Sequence, residues 1–326
     1  MKNVTVLGAG ALGLSWTGLF LANGLKVTIH DPRPDIRLAT LSGLEGIKWT
    51  LLSLGYKIDK FTRYLSFEEK LHKAVRDADI IQECMPEDLE VKQSLYEKLG
   101  RFAPPSSIIL SSSATFPASL ITRKMKWAAA NVLVGHSFDP PHLIPLVEVV
   151  PAAKTPSGNI DKAMAFYRQI GKYPVLIDKE IEGIVVNRLH FALLRESIHL
   201  VTSGVITIER LDEIVRSSLG PRWAAAGPFK TLALGGEGEN GGSGSGGLSH
   251  FLDQSSERIE HVWQGLGHVQ LDVETKTKLR KQADECYARV PVEDMIKQRD
   301  ADQIAILRAL HQVPEKDIKY DDLFNK

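Results

Sequence analysis

A glycine-rich turn near the start of the chain constrains its fold more than any other feature. The apolar run at residues 4–7 leads into the sequence Gly-Ala-Gly-Ala-Leu-Gly, and an apolar helical pattern follows. The first glycine permits a tight turn, the second lets a phosphate approach the backbone, and the third lets the helix pack on the strand. The helix start would then face a pyrophosphate. The predicted cofactor-binding residues of this turn are Gly8, Gly10, Ala11, Leu12 and Gly13.

A second apolar strand, at residues 26–30, ends at Asp31. A carboxylate there can accept hydrogen bonds from both ribose hydroxyls of an adenosine and would repel a 2′-phosphate, so NAD is expected rather than NADP. Arg33 could lie over the adenine or, in principle, meet a 2′-phosphate. An ordinary turn and a secretory signal are the alternatives for the first segment, but a signal needs a basic start and a small-residue cleavage site.

The composition argues against several classes of function. A chain of 326 residues is long enough for two domains. Its formal net charge of zero gives no reason to expect nucleic acid or an anionic membrane surface as a partner. No apolar run is suited to span a bilayer, and Cys84 and Cys286 form neither a disulfide framework nor a metal pattern. We therefore expect a cytoplasmic protein without a bound metal.

Polar side chains follow the predicted strands of the first half, at the edge where a doubly wound sheet binds ligands. Glu87 and Lys92 come after the strand at 78–81, and a serine cluster at 111–113 follows the strand at 107–110. Glutamate at a helix start and serine in a turn are also ordinary structural choices. The sequence therefore marks these residues as candidates without assigning them a role.

His136 and Glu148 are unusual residues in two consecutive apolar strands. His136 follows the strand at 132–135, and Glu148 lies inside the apolar run at 146–150. A buried carboxylate needs a partner, and an imidazole that is hydrogen-bonded to one is oriented to take up a proton. A lone histidine would more often be structural, but the two residues together predict an acid–base pair.

The pattern changes at residue 183, where strands give way to helices. We predict a Rossmann-type doubly wound α/β sheet over residues 1–182, which binds NAD, and an all-α domain over 183–326, a type that often forms homodimers through apolar faces. Asn187, near the start of the first of these helices, is either a local cap or a polar group that faces the site. The glycine-rich segment 235–247 predicts a mobile surface loop, with an active-site lid as the alternative.

Several motifs, taken together, resemble the 3-hydroxyacyl-CoA dehydrogenase superfamily. They are Gly8-x-Gly10-x-x-Gly13, Pro86-Glu87-Asp88-Leu89-x-x-Lys92, Gly135-His136, Leu146-Val147-Glu148, Val186-Asn187-Arg188 and Gly227-Pro228. Further motifs are similar to the branch that acts on small free hydroxy acids, which includes L-gulonate 3-dehydrogenase (lambda-crystallin) and L-carnitine dehydrogenase. They are Ser111-Ser112-Ser113, Pro140-Pro141, the run 145–151 and Arg222-Trp223-Ala224.

The resemblance implies NAD-dependent oxidation of the 3-hydroxyl of an L-gulonate-like hydroxy acid, with L-carnitine or a 3-hydroxyacyl-CoA as alternatives. His136 would be the general base and Glu148 would orient it. Asn187 and one serine, Ser113 or Ser112, would hydrogen-bond the substrate oxygen. The resemblance also implies that two side chains contact the cofactor ribose and nicotinamide side, namely Glu87 and Lys92.

The substrate prediction depends on Arg222 and Trp223. A guanidinium matches a free carboxylate, and the acyl-CoA branch lacks arginine at this place; an indole could stack on a quaternary ammonium. An exposed helix-start arginine and a core tryptophan are the alternatives. Asp139 stands where the family has asparagine. The negative charge of an aspartate at this position would suit a cationic substrate group. A non-catalytic crystallin-like or NAD-sensing protein is the competing class, and the retention of His136, Glu148 and Asn187 argues against it.

Overall fold

The computed structural model describes residues 1–58, 61–235, 247–288 and 290–312. These residues form two compact units, one made of Met1–Arg188 together with residues 299–312, and the other of the described residues within Leu189–Gln298. The predicted division after residue 182 stays a prediction. The predicted glycine-rich loop lies outside the described residues except at its two ends.

An eight-stranded sheet forms the centre of the first unit, in the order β3-β2-β1-β4-β5-β6-β7-β8. All neighbouring strands pair in parallel except β6 and β7, which are antiparallel. The strands are β1 (Asn3–Leu7), β2 (Lys26–His30), β3 (Leu65–Phe67), β4 (Ile80–Glu83), β5 (Ile108–Ser111), β6 (Val132–Ser137), β7 (Leu146–Pro151) and β8 (Tyr173–Leu176).

Helices cover both faces of this sheet. They are α1 (Ala11–Ala22), α2 (Ile36–Gly46), α3 (Lys48–Ser53), α4 (Leu71–Ala74), α5 (Leu89–Phe102), α6 (Ala118–Ile121) and α7 (Ser157–Gln169), with short 3-10 helices at Phe61–Tyr64 and Ala129–Asn131. On one face an aromatic cluster joins α1 to α7, where Trp16 stacks on Phe20 with ring centroids 5.3 Å apart and Phe20 contacts Phe166 at 5.8 Å. On the other face Tyr96 and Leu99 of α5 are fully buried.

These layers explain the apolar strand sequences. Strands buried on both faces read as continuous apolar runs instead of alternating ones, and β4, β5 and β6 are buried along their whole length. The predicted Rossmann-type sheet followed by an all-helical part is confirmed.

The second unit is helical throughout its described residues. It contains most of α8 (Ile184–Thr202), which begins in the first unit, and then α9 (Ile208–Ser217), α10 (Leu219–Ala226), α11 (Pro228–Gly235), α12 (Gly247–Gln264) and α13 (Val273–Tyr287). The backbone N–H of Gly267 donates to the Glu196 carboxylate of α8 (2.7 Å). The Tyr287 hydroxyl of α13 donates to Asp212 of α9 (2.5 Å). No helix in the described ranges combines the length and the apolar character that a membrane crossing requires.

The last described helix, α14 (Val292–Ala309), returns to the first unit. The Thr50 hydroxyl of α3 donates to Asp300 Oδ2 (2.7 Å). Ile304 and Leu307 are buried in one apolar cluster with Leu54 and Leu143. The core of the sheet unit is therefore completed by residues far along the chain.

Three features of the fold differ from the sequence prediction. The three-residue strand β3 was not predicted, because so short a run carries no clear period. The antiparallel direction of β7 was not predicted either, because the direction of a strand depends on how separate segments of the chain pair. The sequence pattern favours one helix over residues 222–232, but the chain forms two, α10 and α11, since Gly227 adopts φ +69° between them and Pro228 begins the second.

Candidate active site

The glycine turn between β1 and α1 has the shape that a pyrophosphate requires. Gly8 adopts φ +84°, and a Cβ there would approach the Cys84 carbonyl oxygen to 2.9 Å; one on Gly13 would lie 1.9 Å from the Gly8 oxygen. A Cβ on Gly10, in contrast, would meet no atom within 4 Å. The first intrahelical bond runs from Leu14 N to Gly10 O (2.8 Å), so the N–H groups before it are free to face a ligand.

A cavity of about 480 Å³ opens beside this turn, between the ends of β1, β2 and β4. It is lined by Gly8, Gly10, Ala11, Leu12, Asp31, Pro32, Arg33, Cys84, Met85 and Pro86. Hydrogen bonds from Arg33 and the Ala9 N–H hold the pKa of Asp31 at about 2, against the burial that would raise it. The open Gly10 position and the helix start fit the pyrophosphate of NAD, and an ionised carboxylate is the kind of acceptor that its ribose hydroxyls require.

His136 and Glu148 lie directly opposite each other in the antiparallel pair β6–β7. Both are buried, and His136 Nδ1 lies 2.9 Å from Glu148 Oε2. The other carboxylate oxygen, Oε1, accepts from the N–H groups of Val185 (3.1 Å) and Val186 (2.9 Å) at the start of α8. One carboxylate therefore anchors both the imidazole and the helix that carries Asn187.

Asn187 lies on the remaining side of the imidazole. Its Nδ2 atom is 3.5 Å from His136 Nε2, a separation at the long limit of a hydrogen bond. Because Glu148 holds Nδ1, the bonding pattern assigns the ring proton to Nδ1 and leaves Nε2 as an acceptor. The structure thus brings three predicted site residues together, with Glu148 at Nδ1 and Asn187 near Nε2 of the His136 ring.

Glu83 is the residue of this region that the sequence did not single out. Its carboxylate is fully buried and accepts from Lys92 Nζ (2.7 Å), the Met85 N–H (2.8 Å), Ser111 Oγ (2.7 Å) and the Tyr96 hydroxyl (3.3 Å). Lys92 is 1% exposed, and its ammonium also lies 3.3 Å from Glu87 Oε2. The sequence signal that could have marked Glu83 is its position as a charged residue at the end of an apolar strand.

Glu87 receives hydroxyl and amide donors from the turn after β5. Its Oε1 accepts from Ser113 Oγ (2.6 Å), Thr115 Oγ1 (2.6 Å), Thr115 N (2.9 Å) and Ala114 N (3.1 Å). Ser113 is fully buried and Thr115 is exposed. Ser112 accepts from the Gln82 amide (2.9 Å). Thr115, which no sequence motif marks, therefore offers the most accessible hydroxyl of this turn.

The remaining predicted substrate residues are Arg222, Trp223 and Asp139. Arg222 and Trp223 belong to α10 of the second unit, where Arg222 is exposed and Trp223 is 41% exposed. Asp139 is exposed in the loop after β6. Among the residues that the structure describes, no group of three histidine, cysteine or acidic side chains could hold a metal ion.

The bonds to Glu87 make a pH-dependent contribution to stability. Although burial opposes its charge, hydrogen bonds from Ser113 and Thr115, with Lys92 nearby, lower the pKa of Glu87 from 4.5 to about 2. The stabilisation is complete above the unfolded pKa and is lost as the pH falls toward 2. Between pH 7 and pH 3 we expect the wild type to lose about 1 kcal/mol more than Glu87→Gln, after allowance for solvent screening.

Urea unfolding at the two pH values measures this difference. Glu97→Gln is the matched control, because Glu97 pairs with Arg101 on the exposed side of α5, the helix that begins two residues after Glu87. That variant should follow the wild type. Equal losses in the wild type and Glu87→Gln would show that the turn bonds to Glu87 contribute nothing through its charge.

A dinucleotide turn and an anchored imidazole within one doubly wound unit are typical of NAD-dependent dehydrogenases. Comparison with known proteins agrees with this class. Residues 3–181 match the family model for the 3-hydroxyacyl-CoA dehydrogenase NAD-binding domain, and residues 183–240 match the model for the C-terminal domain of the same family.

Relatives of similar length give the same result. The chain is 35% identical to an L-carnitine dehydrogenase of Streptomyces coelicolor over 97% of its own length and 98% of the relative's. It is 35% identical to a 3-hydroxyacyl-CoA dehydrogenase of Gibberella moniliformis, covering 95% of each chain. A solved structure of 5-formyl-3-hydroxy-2-methylpyridine 4-carboxylic acid 5-dehydrogenase, an NAD⁺-dependent dismutase, superposes with a TM-score of 0.80 at 25% identity, covering 96% of this chain and 100% of that one.

The chain belongs to the 3-hydroxyacyl-CoA dehydrogenase family. It is an NAD-dependent oxidoreductase that acts on a CH–OH group. The resemblance that the sequence motifs predicted is confirmed, and so is the prediction of NAD as the cofactor.

Proposed function

We propose that the protein oxidises the 3-hydroxyl group of a small free hydroxy acid to the 3-keto acid, with His136 as the general base. The observation that carries the proposal is the arrangement around His136, in which Glu148 Oε2 holds Nδ1 at 2.9 Å and Nε2 remains an acceptor. A base must be held within hydrogen-bond reach of the proton it takes. Because Glu148 fixes the imidazole at Nδ1, Nε2 is held in place to accept a proton from the substrate.

The chemistry of the step follows from this geometry. Bound NAD supplies the acceptor for the hydride that leaves C3 of the substrate. His136 Nε2 takes the hydroxyl proton as the C–O double bond forms, and the imidazolium that results is stabilised by the Glu148 carboxylate. The N–H groups of Val185 and Val186 hold the second oxygen of Glu148, which keeps the carboxylate in place. His136 later releases the proton to solvent.

Two further groups would polarise the reacting oxygen. Asn187, whose amide nitrogen lies 3.5 Å from His136 Nε2, can donate to the same oxygen that the imidazole serves. A hydroxyl from the turn after β5 is the other donor that the family resemblance implies, from Ser113 or Ser112. The exposure of Thr115 makes it a third candidate for that hydroxyl.

Glu87 and Lys92 are proposed to act at the cofactor ribose and nicotinamide side. Glu87 is the more accessible of the two, with a side chain 35% exposed against 1% for Lys92. The Lys92 ammonium donates to Glu83 (2.7 Å) and lies 3.3 Å from Glu87. Lys92 would therefore serve the cofactor by fixing Glu87, and Glu87 would make the direct contact.

The substrate is proposed to be a 3-hydroxy carboxylate of the L-carnitine or L-gulonate type. Several relatives that cover nearly the whole chain are named L-carnitine dehydrogenases, with 34–35% identity. Arg222 would bind the carboxylate, and Trp223 would stack on a quaternary ammonium if the substrate carries one. Asp139 would favour such a cation.

An absorbance assay at the NADH band tests this proposal with L-carnitine, L-gulonate, 3-hydroxybutyrate and a 3-hydroxyacyl-CoA. We expect turnover with at least one free acid and a KM for that acid that rises about 100-fold in Arg222→Ala, because a guanidinium–carboxylate contact is lost. Arg216→Ala is the matched control: Arg216 lies in the preceding helix, α9, and should leave KM unchanged.

Two other functions would give different results. Activity on the acyl-CoA alone would support the reaction named for the Gibberella relative and would contradict the free-acid proposal. A crystallin-like structural or NAD-sensing protein would bind NAD without turnover of any of the four compounds. The anchored His136 favours catalysis over that reading.

We also propose a cytoplasmic homodimer. The support for a dimer is a set of exposed apolar side chains on α8 of the second unit, with Leu189 63% and Phe191 58% exposed. Apolar surface of this kind is costly to leave in water. Sedimentation velocity measures the assembly state, and a monomer at micromolar concentration would contradict the proposal.

A further inference from the structure

Arg33 covers the carboxylate of Asp31, the predicted acceptor for the adenosine ribose. Its Nε donates to Asp31 Oδ1 (2.9 Å), and its Nη2 donates to Asp31 Oδ2 (2.9 Å). The same Nη2 donates to the carbonyl oxygen of Ala9, inside the glycine turn (2.9 Å). The Asp31 side chain is only 6% exposed beneath this guanidinium, which is itself 47% exposed.

The bonds to Asp31 leave no acceptor site for a ribose. A carboxylate offers about four lone-pair sites. Two are used by backbone groups, since Arg33 N donates to Oδ1 (3.0 Å) and Ala9 N to Oδ2 (2.8 Å). The guanidinium takes the other two, one on each oxygen. Rotation of the Arg33 side chain alone would therefore open one site on each oxygen, which matches the pair of hydroxyls on a ribose.

We propose that Arg33 is a latch on the adenosine site, which competes with NAD for Asp31 and weakens the discrimination against NADP. For NAD the latch has to open before both hydroxyls can bind. For NADP the same guanidinium, once released, is a cation two residues from Asp31 with a fork that matches a phosphate. It would offset the repulsion that the Asp31 carboxylate exerts on a 2′-phosphate.

The half-exposed position of Arg33 sets the size of the effect. Ion pairs open to solvent contribute little, because water screens them and long side chains lose freedom when they are held. Opening the latch therefore costs NAD about fivefold in affinity at most. A variant without the guanidinium would lose its hydrogen bond to the 2′-phosphate, a bond between charged groups. Its affinity for NADP should therefore fall about tenfold.

Titration calorimetry with NAD and with NADP, in the absence of substrate, tests the latch in the full-length protein. This inference depends on the cofactor and not on the proposed hydroxy acid, so it can fail or succeed independently of the substrate assignment. In Arg33→Ala we expect NAD to bind up to about fivefold more tightly and NADP about tenfold more weakly. Arg33→Lys keeps the charge without the fork, so NAD should tighten while NADP weakens less than in the alanine variant.

Arg37→Ala is the matched control for loss of positive charge. Arg37 is close in sequence, but its guanidinium lies over the Phe67 ring, 4.8 Å from the centroid. It should leave both affinities unchanged. Weaker NAD binding in Arg33→Ala would overturn the latch, because it would mean that Arg33 holds the cofactor. Unchanged NADP binding would overturn its role in discrimination, as would the same change in Arg37→Ala.

Discussion

Replacing His136 by alanine is expected to lower kcat by about 10²- to 10⁴-fold while NAD binds as in the wild type. The imidazole is the one base held between Glu148 and Asn187 in the described part of the chain, with Nδ1 2.9 Å from the carboxylate. Its loss removes the acceptor for the hydroxyl proton and leaves the glycine turn intact. Initial rates at saturating substrate and calorimetric NAD titration give the two quantities.

His261→Ala is the control for this substitution. His261 is an exposed imidazole near the end of α12, and its removal should leave kcat and NAD affinity unchanged. Unchanged turnover in His136→Ala would show that another group is the base. Equal losses of turnover and of NAD binding would instead indicate that His136 supports the fold of the site.

Replacing Lys92 by methionine is expected to lower the free energy of unfolding by about 3 to 5 kcal/mol. Methionine keeps the aliphatic length but removes the ammonium, which leaves the fully buried Glu83 carboxylate without its cation. The hydrogen bonds from Met85 N, Ser111 and Tyr96 to Glu83 remain and cannot replace a charge. Urea unfolding at neutral pH measures the difference.

Arg101→Met on the same helix is the matched control. Arg101 pairs with Glu97 at 2.7 Å, but the two side chains are 59% and 38% exposed. Exposed pairs of this spacing contribute less than about 0.5 kcal/mol. A loss below about 1 kcal/mol in Lys92→Met would indicate that Glu83 is neutral or solvated in the folded protein.

The sequence predicted local structure well where one short segment decides it. The glycine turn could be predicted because Gly8, Gly10 and Gly13 each meet a separate steric requirement within six residues. The register that places His136 against Glu148 could not be calculated, because it depends on two strands pairing in opposite directions. An imidazole and a buried carboxylate in neighbouring strands were nevertheless enough to suggest the pair.

Charged networks and accessible groups were harder to predict. Glu83 follows an apolar run and resembles any polar strand end, and only the fold shows that four donors converge on it. The choice among Ser112, Ser113 and Thr115 depends on which hydroxyl the turn exposes. Exposure follows from backbone geometry and packing, which the order of residues does not fix.

The return of α14 to the sheet unit has a consequence for the order of synthesis. Ile304 and Leu307 cover Leu54 and Leu143, and Asp300 accepts from Thr50. Thr50 lacks this partner until the ribosome has made a residue 250 positions later, and Leu54 and Leu143 lack this cover until the same segment is made. A nascent chain that carries the whole sheet would still expose this patch. Chaperone contact and premature self-association should therefore concentrate at this apolar patch while the second unit, Leu189–Gln298, is being translated.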